Sequence, residues 1–225
     1  MPDAPLLEKL IALLPELTTA LGQTLTMLGI GLGAALLLGG PLGILLFLVG
    51  AGQPLQHRTL ASVLGWLVNT VRSFPFIILL VALVPFTRAI AGSSIGPLAA
   101  AVPLSVAAIP YFARLVEQTL REVPRGVIEA AQAMGASELQ IVTRVLLVEA
   151  RPGLVLALTV LAISFLSYSA VAGVVGGGGI GDLAIRYGYY RFETDVMVVT
   201  VALLVALVQL IQFAGGRVAR RLDKR

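Results

Sequence analysis

The chain has 225 residues, of which 58% are hydrophobic and 12% charged, and its formal net charge is +4. A soluble domain of this length could not hide so much apolar surface. The apolar runs are continuous, where an outer-membrane barrel would alternate, so the composition specifies an all-α polytopic membrane protein. The basic residues gather at the ends of apolar runs, which fits membrane topology and argues against nucleic-acid binding, and the absence of cysteine excludes disulfides and thiolate metal sites.

Residues 1–16 carry Asp3, Glu8, Lys9 and Glu16 and lack the basic start and clean apolar core of a cleaved signal peptide. Leu6, Leu7, Leu10, Ile11, Leu13 and Leu14 instead predict a short amphipathic helix at the membrane interface. A span needs about 20 mostly apolar residues to cross a core about 30 Å thick. Five segments within a transmembrane region 17–215 qualify, followed by a basic tail, 216–225. The first, 18–49, is long enough to bend at Gly39-Gly40-Pro41, and its pairs Gly29/Gly33 and Gly39/Gly43 permit close helix approach. His57 follows in a polar loop, without nearby carboxylates, and reads as a solvated residue and not a metal ligand. The second span, 61–86, contains Arg72, with Pro75 and Pro85 as expected kinks, and the third, 95–116, is expected to be interrupted at Pro103 and Pro110. Arg114 and Glu117 read as charges at its edge.

Between spans three and four lies a polar loop, 117–149, with the segment EAAQAMG at 129–135. Pro124 suits a first helical turn, the stretch 129–134 is rich in strong helix formers, and Gly135 suits a helix end. Ser137 with Gln140 forms a capping-box signature for a second helix running through Ile141, Val142 and Val145. Two short helices meeting at Gly135 would present Ala130, Ala131 and Met134 as a low-relief knob. That knob either fits a groove on a soluble partner or belongs to an ordinary helical hairpin on the membrane surface.

The fourth span, 152–175, offers a few polar groups, Ser164, Tyr168 and Ser169, that either line a translocation path or bond between helices. The run GGGGIGD at 176–182 lacks the Lys-Ser/Thr of a phosphate loop. It matches the GxGD element of intramembrane aspartyl proteases, but Asp3 and Asp223 lie outside the spans and Asp195 stands only at the edge of the fifth, so the second carboxylate that chemistry needs is missing. A flexible external turn leading to Tyr187, Tyr189 and Tyr190 is the plainer expectation. The fifth span is 194–214. With the C-terminus inside, Arg58, Arg114, Arg121, Arg125, Arg144, Arg151 and the basic tail are cytoplasmic, while Lys9, Arg88, Arg186 and Arg191 are outside. That asymmetry predicts N-terminus out, C-terminus in, and EAAQAMG in the cytoplasm. No span carries a carboxylate ladder of the kind ion-coupled carriers use, so the energy source lies elsewhere.

EAAQAMGASELQIVTRVLL resembles the EAA coupling motif of ABC importer permeases, with Glu129, Ala130, Ala131 and Gly135 matching. At its end Leu147 is present, but Val148 stands where the pattern has proline, and Pro152 is expected to take over in part. The segments 72–80 (RSFPFIILL), 85–88, 92–96 and 209–215 are similar to the methionine-importer permease branch of that family. The resemblance implies a homodimeric permease of the bacterial inner membrane, importing methionine in its L- and D-forms. It implies two cytoplasmic ATPase subunits that use ATP and Mg, an external substrate-binding protein, and no catalytic residue, metal or cofactor on this chain. Glu129, Ala130, Ala131, Met134, Gly135 and Ile141 become the ATPase-coupling residues, with Glu129 either capping a helix or pairing with an arginine of the ATPase. The alternatives are a permease for another small amino acid or organic anion, or a self-sufficient carrier.

Overall fold

A computed structural model describes residues 6–223, with side-chain surroundings from residue 11 onward. Every element among the described residues is helical. Helix α1 (Leu6–Ala34) passes through a π-helical turn (Ala35–Gly39) into α2 (Gly40–Leu48). Next come α3 (Arg58–Ser73), α4 (Phe76–Ala82), α5 (Val84–Ala91) and the long α6 (Pro97–Arg121). The polar loop holds α7 (Arg125–Ala133), then α8 (Glu138–Gln140), a π-helical turn (Ile141–Leu146) and α9 (Leu147–Glu149). Helices α10 (Arg151–Ala172), α11 (Gly179–Leu183) and α12 (Thr194–Leu222) complete the chain. Among the described residues four segments are long and apolar enough to cross a membrane, Ile11–Leu48, Pro97–Arg121, Arg151–Gly177 and Thr194–Leu222, and the bent pair α3–α4 makes up to five.

The expected all-α polytopic fold therefore holds, with four to five candidate spans and its details altered. Residues 6–16 do not form a separate helix: α1 runs on without a break through Pro15, whose carbonyl accepts from the Thr18 and Thr19 hydroxyls at 2.9 and 2.8 Å. The part of that expectation resting on residues 1–5 lies outside the described residues. At Gly39-Gly40-Pro41 the helix widens and does not break, and the Gly40 N–H reaches back to the Ala35 carbonyl. Pro103 and Pro110 do not interrupt α6, which is continuous. In an apolar phase a helix that loses one N–H still satisfies more backbone than any irregular alternative. Pro75 does break its span: Phe74 and Pro75 adopt extended ψ values of 131° and 132°, and Pro85 opens the next helix.

By contact density the chain divides into two compact units. The first comprises the described residues through Gly31, Pro75–Val106 and Ile163–Leu210. Its core brings Leu17 and Ala20 of α1 against Ile180 and Leu183 of α11 and Val196 of α12. The second comprises Leu32–Phe74, Ala107–Ala162 and residues from Ile211 onward. There Leu46, Val68 and Ala113 bury one another between α2, α3 and α6. Gly39 and Gly43 make that packing possible, because a Cβ would lie 2.6 Å from the Ile109 carbonyl oxygen and 2.5 Å from that of Ala113. Gly29 and Gly33 meet nothing within 4 Å.

Gly43→Leu is therefore expected to force α2 off α6 at a cost of about 1–3 kcal/mol. A lowered melting temperature in detergent reads this out, while Gly29→Leu, with open space around it, should leave that temperature unchanged.

Candidate functional site

The polar loop builds a rigid, protruding turn from local rules. Helix α7 starts at the Pro124 cap and ends at Met134, where Gly135 takes a left-handed φ of +78° that favours glycine. The Ala136 N–H bonds the Ala131 carbonyl at 3.1 Å and the Gly135 N–H bonds the Gln132 carbonyl at 2.9 Å. These are the two bonds of a Schellman motif, which satisfies the carbonyls a helix end leaves open. One residue later, Ser137 opens α8 with a complete capping box: its Oγ accepts from the Gln140 N–H at 3.4 Å, and Gln140 Oε1 accepts from the Ser137 N–H at 2.9 Å. A helix stop and a helix start are thus fused across Gly135 and Ala136.

The six residues assigned to this segment divide into two faces. Ala131 and Ile141 are 3% and 2% exposed and belong to the interior where α7 packs on the π-helical turn Ile141–Leu146. Glu129, Ala130 and Gly135 are exposed, and Met134 is 81% exposed at the tip. The knob is therefore made by Ala130 and Met134, one helical turn apart, and Ala131 lies beneath it. Glu129 sits mid-helix and caps neither end of α7. Val148 lies within α9, and Ala150, two residues before Pro152, joins α9 to α10 in a right-handed helical conformation.

The polar trio of α10 does not form one face. Ser169 is 2% exposed and its hydroxyl donates to the Leu166 carbonyl of its own helix at 2.7 Å. Tyr168 is half-buried and stacks on Phe76 with centroids 4.7 Å apart, and Ser164 is half-buried. The glycine run is not a flexible external turn. Gly179, Ile180 and Gly181 are buried, the Gly179 N–H donates to Gln23 Oε1 at 2.7 Å, and the Ile180 N–H donates to Thr24 Oγ1 at 2.9 Å. The adjacent polar side chains of α1 lie 156 residues from the N–H groups they accept from, and no periodic signal in the sequence announces the pairing. Asp182 accepts from Arg186 Nε at 2.8 Å, and that hydrogen bond raises the pKa of the already strongly basic guanidinium. Nearby, the Glu16 carboxylate accepts the Tyr187 hydroxyl proton and lifts that phenol above its usual range, while Arg191 lies 4.3 Å over the ring.

The charges expected at the edge of the third span form a cluster on α6. Glu117 is 3% exposed; its Oε2 accepts from Arg114 at 2.5 Å and its Oε1 from Arg121 at 2.7 Å. Arg114 also donates to Asn69 Oδ1 of α3 at 2.8 Å. Spacings of three and four residues on one helix are the only sequence signal for that triad.

Gly135→Ala is expected to strain the left-handed position by about 1–2 kcal/mol. Amide exchange in α7 should accelerate about tenfold with the spans unaffected, since 1.4 kcal/mol is a factor of ten in a local opening equilibrium.

Residues 39–225 match the family described as binding-protein-dependent transport system inner membrane component. The chain is 48% identical over 209 residues to the probable D-methionine transport system permease protein MetI of Vibrio cholerae, covering 93% of each. It is 42% identical over 181 residues to the methionine import system permease protein MetP of Bacillus subtilis, covering 80% of this chain and 82% of that one. Among solved structures, an inward-facing form of the MetNI methionine ABC transporter superposes with a TM-score of 0.92 at 46% identity, over 95% of this chain and 99% of its counterpart. An amino acid ABC transporter crystallised with histidines, 16% identical with a TM-score of 0.80, covers 97% of this chain and 99% of its own and shares the fold. The chain belongs to the binding-protein-dependent transport system inner membrane components, the permease subunits of ABC transporters.

Proposed function

We propose that the chain is the membrane-spanning subunit of an ATP-driven methionine importer, working as a homodimer with two cytoplasmic ATPase subunits and an external binding protein. The observation that carries the reading is the exposed, doubly capped turn at EAAQAMG, on a chain whose relatives are named as methionine permeases. The Ala130–Met134 knob enters a groove on the ATPase, and Glu129, capping nothing on its own chain, pairs with an arginine there. ATP, with Mg, is used by that partner. Closure of the ATPase pair moves the turn as one body, because both sides of Gly135 are hydrogen-bonded shut. The Lys/Arg asymmetry of the loops supports an external N-terminus and a cytoplasmic C-terminus. The cargo comprises both L- and D-methionine.

Reconstitution with the cognate ATPase and binding protein should give ATP-dependent uptake of labelled methionine, competed by both enantiomers and weakly by other amino acids. Equal competition by an unrelated amino acid would replace the substrate assignment, and uptake by the purified chain alone would make it a self-sufficient carrier.

Met134→Glu changes an exposed tip and no packed atom, so the permease should assemble in the membrane as before. Co-purification of the ATPase should fail and uptake fall more than tenfold; wild-type uptake in this variant would remove the docking assignment.

A further inference from the structure

Arg72 is the charged side chain that the coupling segment and the packing leave unexplained. It sits in the last turn of α3, roughly 20 Å along the helix from Arg58 at 1.5 Å per residue, near the middle of the candidate span α3–α4 and next to its 99° bend. Its guanidinium lies 5.5 Å from the Tyr111 ring centroid on α6 and is exposed. At that depth exposure to hydrocarbon costs about 2.5–3.5 kcal/mol on insertion scales, so an arginine there faces protein or water.

The periodicity of α3 says which. At 100° per residue, Leu60, Val63 and Leu67 cluster on one side and are 39%, 50% and 47% exposed, an apolar surface suited to lipid. Gly65, Asn69 and Arg72 fall on the opposite side, where Asn69 meets Arg114 of α6. The backbone also leaves the helix immediately after Arg72, at Phe74. Irregular backbone at membrane depth is tolerated where it is covered by protein or lines a water-filled cavity.

The charges beside it are spoken for. Both oxygens of Glu117 are occupied by Arg114 and Arg121, and Arg114 is further bonded to Asn69. Among the described residues, Arg72 therefore has an aromatic seat and no carboxylate. A guanidinium held by a ring presents its planar fork, which matches a carboxylate in two parallel hydrogen bonds. The local excess of positive charge favours an anionic group over an ammonium.

We propose that Arg72, seated on Tyr111 beside the Arg114–Glu117 pair, recognises the α-carboxylate of the amino acid as it crosses the membrane. The inference rests on the reading of the chain as an amino-acid permease and adds the residue that handles the charged end of the cargo. Glu117 has a definite part in this. By pairing with Arg114 and Arg121 it lowers the surrounding positive charge, so that the carboxylate is held mainly by Arg72 and weakly enough to be released.

The test uses the complete transporter in proteoliposomes. Arg72→Gln should lower methionine uptake at least tenfold while assembly and ATP hydrolysis stay within twofold of wild type, and Arg72→Lys should restore a third or more of the rate. Tyr111→Leu, which removes the ring and leaves the guanidinium, should keep at least half. Methioninamide, which lacks the carboxylate, should be discriminated against by wild type about tenfold more than by Arg72→Gln. Wild-type uptake by Arg72→Gln, loss of assembly in that variant, or unchanged discrimination would each overturn the assignment. A wild-type transporter that carries no amino acid would overturn the permease reading instead.

Discussion

Within an apolar phase the backbone can bond only to protein, and this chain has 12 prolines and 24 glycines with which to disrupt its helices. Its architecture follows from how each disruption is resolved. Before Pro41 the helix widens by one residue per turn, so the carbonyl of Ala35 is taken by Gly40. At Gly178 and Gly179, where φ is +74° and +87°, side chains of α1 supply acceptors for the two N–H groups that a broken helix leaves open. After Pro75 nothing local substitutes, and the span divides into two helices. Bond-satisfied breaks are fixed joints.

The coupling turn obeys the same constraint outside the apolar region. A loop joining two helices could be a flexible strap, which would absorb any push applied to it. Here the Schellman bonds and the capping box close both helix ends within three residues, and Ala131, Ile141 and Leu146 fill the interior. Force applied at Met134 has no soft element through which to dissipate. The smallness of Ala130 and Ala131 then acquires two separate reasons, an outer one of access and an inner one of packing.

What could be read from the amino acids was what depends on near neighbours. The capping box at Ser137, the stop at Gly135 and the apolar lengths of the spans involve residues three or four apart, so spacing reports them. The misjudged features depend on residues far apart in the chain. Whether proline kinks or breaks a helix depends on what surrounds it, and so Pro75 and Pro103, alike in sequence, behave differently. The glycine run looked flexible because glycine is permissive; Gln23 and Thr24, on α1, make it rigid. Ala131 was taken as surface because alanine carries no polarity to indicate its side. Glu117 read as an edge charge because burial of a carboxylate is visible only once both arginines are seen to reach it.

Helix α6 joins these themes. The bonds from Glu117 go to Arg114 and Arg121 of the same helix, so the triad moves with α6 as one charged body. One hydrogen bond of that cluster, Arg114 to Asn69, crosses to α3, and one ring contact, Tyr111 under Arg72, crosses beside it. The C-terminal end of α6 is separated from α7 by the three residues Glu122, Val123 and Pro124, of which Val123 is buried. A displacement of the coupling turn therefore reaches α6 through these three residues and α10 through α9 and Ala150. It would shift Tyr111 from beneath Arg72 while leaving the Glu117 pairs intact.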